Sequence, residues 1–364
     1  MAWGWFLGLL GLSTLLVALA CILKSRTIRI GVIQLAAVIC AIGLFEGYLL
    51  ILARPVDDGT RIEGSAAEGF TDADDQLGYV PHRNVRVTAR KFYKSDLIYD
   101  VTYTIGANGL RITPPAPHAN RGCVLFFGDS ITFGEGVNDD ENFPYRVGLQ
   151  TAGDFAVHNF GFSGYGPHQM LAKLQVKRET SIGCLPTHFI YFCIPEHVER
   201  VAGLAFWDKH GPRFRLMSNG TVTRDGNFDT APAFFPFWTA LTDNFQAWQR
   251  LFGRNRSAKS ADLDLLIAII AEAARVTRKR YPESRFHMIL WDGSDNDRVN
   301  AIERGSTAAG VMVHRLTRAI PDFRANHMNY VLSEHDLHPN ARQHELLARY
   351  IAQSILRAGQ SAYR

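Results

Sequence analysis

Trp3 to Leu23 carries no charged residue, and Ile30 to Ala53 carries only Glu46. Each stretch has the length of a helix that crosses a bilayer, about 20 residues at 1.5 Å rise. Lipid offers the backbone no hydrogen bonds, so a segment of this kind must be helical to reside there. A cleaved signal peptide fits less well. No basic segment precedes the first run, which leads into Lys24-Ser-Arg26 and not into a small-residue cleavage site. Lys24, Arg26 and Arg29 lie between the two runs, while Arg54 on the far side is followed by Asp57 and Asp58. The positive-inside rule then puts the short link in the cytoplasm. The expectation is a two-helix transmembrane hairpin over residues 1–53, with the large carboxyl-terminal domain extracytoplasmic, which is the periplasm if the cell is Gram-negative. Glu46 is costly inside a span. Two turns from the outer end, it suits helix packing or a partner contact better than transport, because a two-helix hairpin leaves little room for a pathway.

The rest of the 364 residues leaves room for one large domain with attachments. Residues 54–78 are rich in Gly, Ala, Asp and Glu without an apolar period, which predicts a linker. "NVRVTARKF" and "LIYDVTYTIGANGLR" alternate in the manner of strands, with Asn108-Gly109 as turn chemistry. A β-rich lead-in is expected over 79–119, closed by Pro114, Pro115 and Pro117. Apolar runs at 123–127, 155–159, 188–194 and 286–291 read as buried strands. Between them lie helical patterns, clearest at 262–280, where Leu266, Ile269, Ile270, Ala273 and Val276 share one face. This alternation predicts an α/β domain over 120–357 with a parallel sheet and helices on both faces. Residues 205–255 break it with a dense set of aromatics, including Phe206, Trp207, Phe214, Phe234 and Trp238. They read as an insertion over the sheet edge with its own small core.

Net charge is +4 from 39 basic and 35 acidic residues, with no block of like charge, so nucleic acid is not expected as a partner. The five cysteines lack CxxC spacing and read as buried, unpaired thiols; neither a metal nor a cofactor is implied.

Three segments carry chemistry. In "VLFFGDSITFGEG", 124–136, a buried strand runs into Gly128-Asp129-Ser130. Ser130 either caps a helix or is a nucleophile aimed into the crevice at the carboxyl edge of the sheet. In "HNFGFSGYGPHQ", 158–169, Gly161, Gly164 and Gly166 allow backbone N–H groups to turn toward one point, as an oxyanion hole requires. In "SEHDLHPNARQHELLARYIAQSIL", 333–356, Pro339 occupies the expected first helical position. Asp336 and His338 would then stand on the loop entering an amphipathic helix, where a carboxylate could orient an imidazole.

Taken in order, Gly-Asp-Ser, Asn-x-Gly-x-x-Gly and Asp-x-His-Pro resemble the SGNH, or GDSL-type, hydrolase family over roughly residues 120–357. The segment "YDVTYTIGANGLR" is similar to what precedes the nucleophile in membrane-bound bacterial members. The resemblance implies a flavodoxin-like sheet and acyl transfer through an acyl-serine. Ser130 matches the nucleophile and one oxyanion N–H, Gly164 the second donor, and His338 the base. The family's third block usually supplies an Asn as the remaining donor, but here the strand ends in Pro195-Glu196-His197. His197 either donates in its place or is structural. The family's usual Asp position, three before the His, holds His335. Asp336 is therefore expected as the orienting carboxylate, with Glu334 second.

The implied function is a membrane-anchored extracytoplasmic serine esterase or acyltransferase. Its expected substrates are O-acyl groups, O-acetyl foremost, of a cell-surface or secreted glycan, with a membrane acyl-transfer or glycan-export protein as a conceivable partner. A lipid-ester hydrolase remains open, as does a catalytically weak domain that binds glycan or a partner protein.

Overall fold

The computed structural model describes residues 2–52, 59–117, 119–230, 257–294 and 296–357. Among the described residues two compact units emerge, one holding residues 2–52 and the other residues 59–230 and 258–357.

In the first unit α1 (Ala2–Ile22) and α2 (Arg26–Leu52) form a helical hairpin. Arg26–Ile51 is long and apolar enough to cross a membrane; the apolar stretch of α1, Phe6–Ile22, is shorter. Small residues bring the helices together. Ala20 and Ala36 are buried, Ser13 Oγ donates to the Ala36 carbonyl at 3.0 Å, and a Cβ on Gly47 would meet the Phe6 ring at 2.6 Å. Glu46 is fully buried.

The second unit begins with short strands β1 (Thr60–Glu63), β2 (Thr71–Asp74) and β3 (Gly78–Pro81), then long strands β4 (Val85–Tyr93) and β5 (Asp96–Ile105). Residues 60–74, expected as linker, are thus folded. β1 pairs antiparallel with the end of β4, Thr60 opposite Tyr93, and β2 pairs with β3. Edge pairing of this kind uses backbone groups and needs no apolar alternation, so composition does not reveal it. Asp74 forms the β2–β3 turn by accepting the N–H groups of Gln76 and Leu77 at 3.0 and 2.9 Å.

The main domain follows as β6 (Cys123–Phe127), α3 (Ser130–Phe133), α4 (Phe143–Gln150), β7 (Ala156–Asn159), α5 (Pro167–Gln175), β8 (Pro186–Cys193) and α6 (His197–Val201). A hairpin, β9 (Pro212–Leu216) and β10 (Val222–Asn227), precedes α7 (Ser260–Arg280), β11 (Arg285–Leu290), α8 (Asp297–Ala308) and β12 (Met312–Arg315). The chain ends in the small hairpin β13 (Val331–Ser333) and β14 (Asp336–Pro339) and helix α9 (Ala341–Tyr350). The central sheet runs β12-β11-β8-β6-β7, every pair parallel. Numbered within the sheet this is 2-1-3-4-5, the flavodoxin-like order, with the topological switch beside β6.

All five residues of β6 are buried, as a central parallel strand requires. Its alternate side chains feed two cores. Leu125 and Phe127 pack with Leu266, Ile269 and Ile270 of α7, while Val124 and Phe126 pack with Phe143 and Val147 of α4 and Leu347 of α9. The fifth strand, β12, escaped sequence reading because "MVHR" is a half-exposed edge without an apolar run. Of the aromatic insertion expected at 205–255, the described part ends at Thr230 and contains the β9–β10 hairpin; residues 231–256 lie outside the described residues.

Cysteine pairing corrects the sequence expectation of free thiols. Cys123 and Cys184 are joined by a disulfide, with Cα atoms 6.1 Å apart. Cys123 opens β6 and Cys184 lies just before the neighbouring strand β8, so the parallel register brings together positions far apart in sequence. Cys21, Cys40 and Cys193 are free.

Candidate active site

β6 ends at Phe127, and the chain turns through Gly128 (φ +152°), where a Cβ would meet Thr132 Oγ1 at 2.2 Å. Asp129 caps the next turn, accepting the Ile131 N–H at 3.0 Å. The helix that follows Ser130 is a single turn, closed by Gly134 in the left-handed region. Ser130 therefore sits at the carboxyl end of the central strand, beside the topological switch.

Across from it, β14 carries both remaining members of the expected triad. His338 Nε2 is 2.9 Å from Ser130 Oγ, and His338 Nδ1 is 2.6 Å from Asp336 Oδ1. The same carboxylate oxygen accepts the His338 backbone N–H at 3.1 Å, so residue i+2 spacing alone sets the pair. Pro339 lies in β14 and not in the helix; Asn340 is the cap, accepting the Gln343 N–H at 3.1 Å and donating to the Asn329 and Val331 carbonyls. Glu334 is solvent-exposed and pairs with His335 at 3.6 Å, away from His338. His335 itself stacks on Tyr93.

Burial disfavours the charged form of His338, but the Asp336 hydrogen bond and the Glu135 and Asp129 carboxylates outweigh it, and the imidazole is pushed up to about 8. Asp336 is held well below the usual carboxylate range: burial opposes this, and His338 and Lys91 prevail.

Gly164 lies in the same cleft as Ser130 with φ +80°. A Cβ there would come within 2.5 Å of Tyr79 Oη and 2.6 Å of Trp207 Nε1, so only glycine fits. Trp207 Nε1 donates to the Gly164 carbonyl at 3.2 Å, and Tyr79 Oη to the Ser163 carbonyl at 2.8 Å. Asn159 steadies the start of this loop, accepting the Gly161 N–H at 3.0 Å and donating to the Thr132 carbonyl at 2.8 Å.

His197, one of the expected oxyanion donors, is placed otherwise. The ring is fully buried, with Nδ1 against Tyr191 Oη at 2.5 Å and Nε2 against Asp129 Oδ2 at 3.3 Å. Burial, reinforced by Arg200, holds its pKa down to about 4. A neutral ring has one N–H, which the Asp129 carboxylate takes while Tyr191 donates to the other nitrogen. No N–H remains for a substrate oxygen. His197 and Arg200, whose Nη1 is 3.2 Å from Asp129 Oδ2, instead hold the carboxylate that caps the Ser130 turn, at a pKa of about 2 against the opposing effect of burial.

Sequence reading missed the braces that the β lead-in supplies. Lys91 of β4 donates to Asp336 Oδ2 at 2.9 Å. Arg111, 2% exposed, donates to the carbonyls of Phe133, Gly134 and Val137 at 2.6–2.7 Å and to Asp139 Oδ1 at 3.0 Å, gripping the loop that leaves Ser130. Tyr103 Oη accepts the Gly136 N–H at 2.9 Å. The "GANGLR" segment held the signal for Arg111, since a cation in an otherwise β-like run needs buried acceptors if it is not at the surface.

No protein-family model matches the chain, and no curated protein matches it. Solved structures do resemble it. A lipolytic protein of the G-D-S-L family from Desulfitobacterium hafniense is 12% identical, covering 64% of this chain and 98% of its own, with a TM-score of 0.37. The acetyl xylan esterase Est2A from Butyrivibrio proteoclasticus is 15% identical over 70% of this chain and 68% of its own, TM-score 0.38. A single-substitution variant of Axe2, an acetyl xylan esterase from Geobacillus stearothermophilus, is 15% identical over 63% and 92%, TM-score 0.35.

Proposed function

We propose that this chain is an SGNH/GDSL-type serine ester hydrolase, held at a membrane by its amino-terminal helices, with its α/β domain outside the cytoplasm. The observation that carries the reading is the continuous hydrogen-bonded line Ser130–His338–Asp336, 2.9 and 2.6 Å long, at the carboxyl edge of a flavodoxin-like sheet.

In this mechanism Ser130 Oγ attacks the ester carbonyl carbon as His338 Nε2 takes its proton. The carbonyl oxygen gains the negative charge and is met by the backbone N–H groups of Ser130 and Gly164, a hole of two donors. Collapse breaks the carbon–alkoxy bond, and the alcohol leaves with the proton from His338. Water, or the hydroxyl of a second molecule, then attacks the acyl-serine while His338 takes its proton, and Ser130 regains its hydrogen on release. Water gives an esterase and a sugar hydroxyl a transferase. Asp336 holds the Nδ1–H tautomer throughout and stabilises the imidazolium.

The membrane anchor supports a surface or secreted acylated glycan as substrate. Fluorophosphonate labelling of the purified full-length protein tests the catalytic reading: label should be covalent on the wild type and absent from Ser130→Ala. Equal labelling of both, or none on a folded wild type, would overturn it.

A further inference from the structure

The cleft that contains Ser130 and Gly164 is far larger than an acetyl group needs, about 830 Å³, within the range of whole-ligand pockets. Its walls are mostly apolar and come from the folded segment 60–74, through Ile62, Ala66 and Phe70, from the lead-in, through Ala89 and Tyr99, and from the Gly164 loop, through Phe162. All of these but the exposed Ile62 belong to a core of their own, in which Ala89, Tyr99 and Phe162 are buried and Ala66 and Phe70 are half-buried. Ala66 and Ala89 line the cleft beside larger neighbours. Polar residues in the lining are Ser130, Glu135, Ser163 and Arg200, with Thr71, Asp72, His210 and the tyrosines Tyr79, Tyr99 and Tyr103. Glu135 is engaged by Ser163 Oγ at 2.7 Å, and Arg200 by Asp129 and the Tyr165 carbonyl. A sugar ring set against the aromatic and methyl part of this wall would leave hydroxyls there unpaired, a costly arrangement. A hydrocarbon chain would not.

We propose that this cleft is an acyl-chain pocket, and that the β-rich region before the α/β domain, through Ala66, Phe70, Ala89 and Tyr99, selects straight-chain acyl groups of hexanoyl to octanoyl length over acetyl. The inference rests on the esterase reading above and replaces acetyl as the preferred group. The alcohol side of the ester then faces the mouth of the cleft, where Trp207 is half-exposed. The covalent step is unchanged: Ser130 carries the acyl chain, whose tail lies against the lead-in until the acceptor removes it.

The test is a chain-length series of p-nitrophenyl esters, acetate to octanoate, on the full-length protein, below the critical micelle concentration of each substrate. Each buried methylene should raise kcat/KM about fourfold, so hexanoate should exceed acetate by roughly 10². Ala66→Phe, on a half-buried turn, and Ala89→Leu, deeper in the core, should each lower the hexanoate-to-acetate ratio at least tenfold, because the added carbons occupy the chain's space. Two variants at different depths guard against one failing to fold, and the ratio is read within each protein. The pocket assignment is overturned if the wild type favours acetate, or if neither folded variant changes the ratio while Ser130 still takes the fluorophosphonate. Loss of both hydrolysis and labelling in the folded wild type overturns the esterase reading, and this inference falls with it.

Discussion

Lys91 Nζ donates to Asp336 Oδ2 at 2.9 Å across 245 residues of sequence, and neither side chain is more than slightly exposed. Asp336 thus spends one oxygen on His338 and the other on a lysine from a different sheet. Groups that hold a carboxylate in this way tune the pair it takes part in.

Replacing Lys91 by Met should lower kcat roughly tenfold with a smaller change in KM, because the carboxylate loses its second anchor. Removing a cation near the site also favours the imidazolium, so the pH midpoint of kcat/KM should move upward. Lys91→Arg should restore both in large part. A Met variant with a wild-type pH profile and kcat would make Lys91 a packing residue only.

The pH profile itself follows from His338. As the proposed base it must be neutral, and with its pKa pushed up to about 8 kcat/KM should reach half its plateau at about that pH and about a tenth one unit lower. Stability runs the other way. A raised histidine pKa contributes stability that is fully present below about 6.5 and is lost as pH rises through about 8. Initial rates on a soluble ester between pH 5 and pH 10, and melting temperatures over the same range, check both limbs. An activity profile flat down to about pH 4 would exclude histidine as base.

His197→Ala should act on stability first. It removes the His197 partner of the Tyr191 hydroxyl and leaves the Asp129 carboxylate to Arg200 and the Ile131 N–H alone, a loss of about 2–4 kcal/mol. The melting temperature should fall by several degrees, while kcat of the folded protein falls less than the 10²–10³ typical of a lost oxyanion donor. His197→Asn should recover neither. A large kcat loss at unchanged melting temperature would return His197 to the oxyanion hole.

The disulfide closes a loop of 61 residues, which by chain entropy stabilises the fold by about 4 kcal/mol. Reduction, or Cys184→Ser, should lower the melting temperature by on the order of 10 °C. An unchanged transition under reductant would show that the bond contributes little.

Topology is checked by a reporter fused after Arg364. With Lys24, Arg26 and Arg29 held inside, the fusion should be active only outside the cytoplasm.

What the sequence determined by itself is local. Four of the five parallel strands announce themselves because each is a short apolar run, and α7 because Leu266, Ile269 and Ile270 repeat at helical spacing. Asp336 and His338 were legible as a pair since two residues of chain suffice to join them. The motif order likewise marked Ser130 and Gly164. The tertiary structure alone decided how 208 residues of separation close to 2.9 Å between His338 and Ser130. It also decided that residues 60–74 are strand edges, that Cys123 meets Cys184, and that both nitrogens of His197 are already committed. Each of these depends on which strand lies beside which, and one local sequence pattern is compatible with many such neighbours. Lys91 and Tyr79 show the same limit: a single polar residue in a β-like run reads as surface until another part of the chain arrives with the acceptor that buries it.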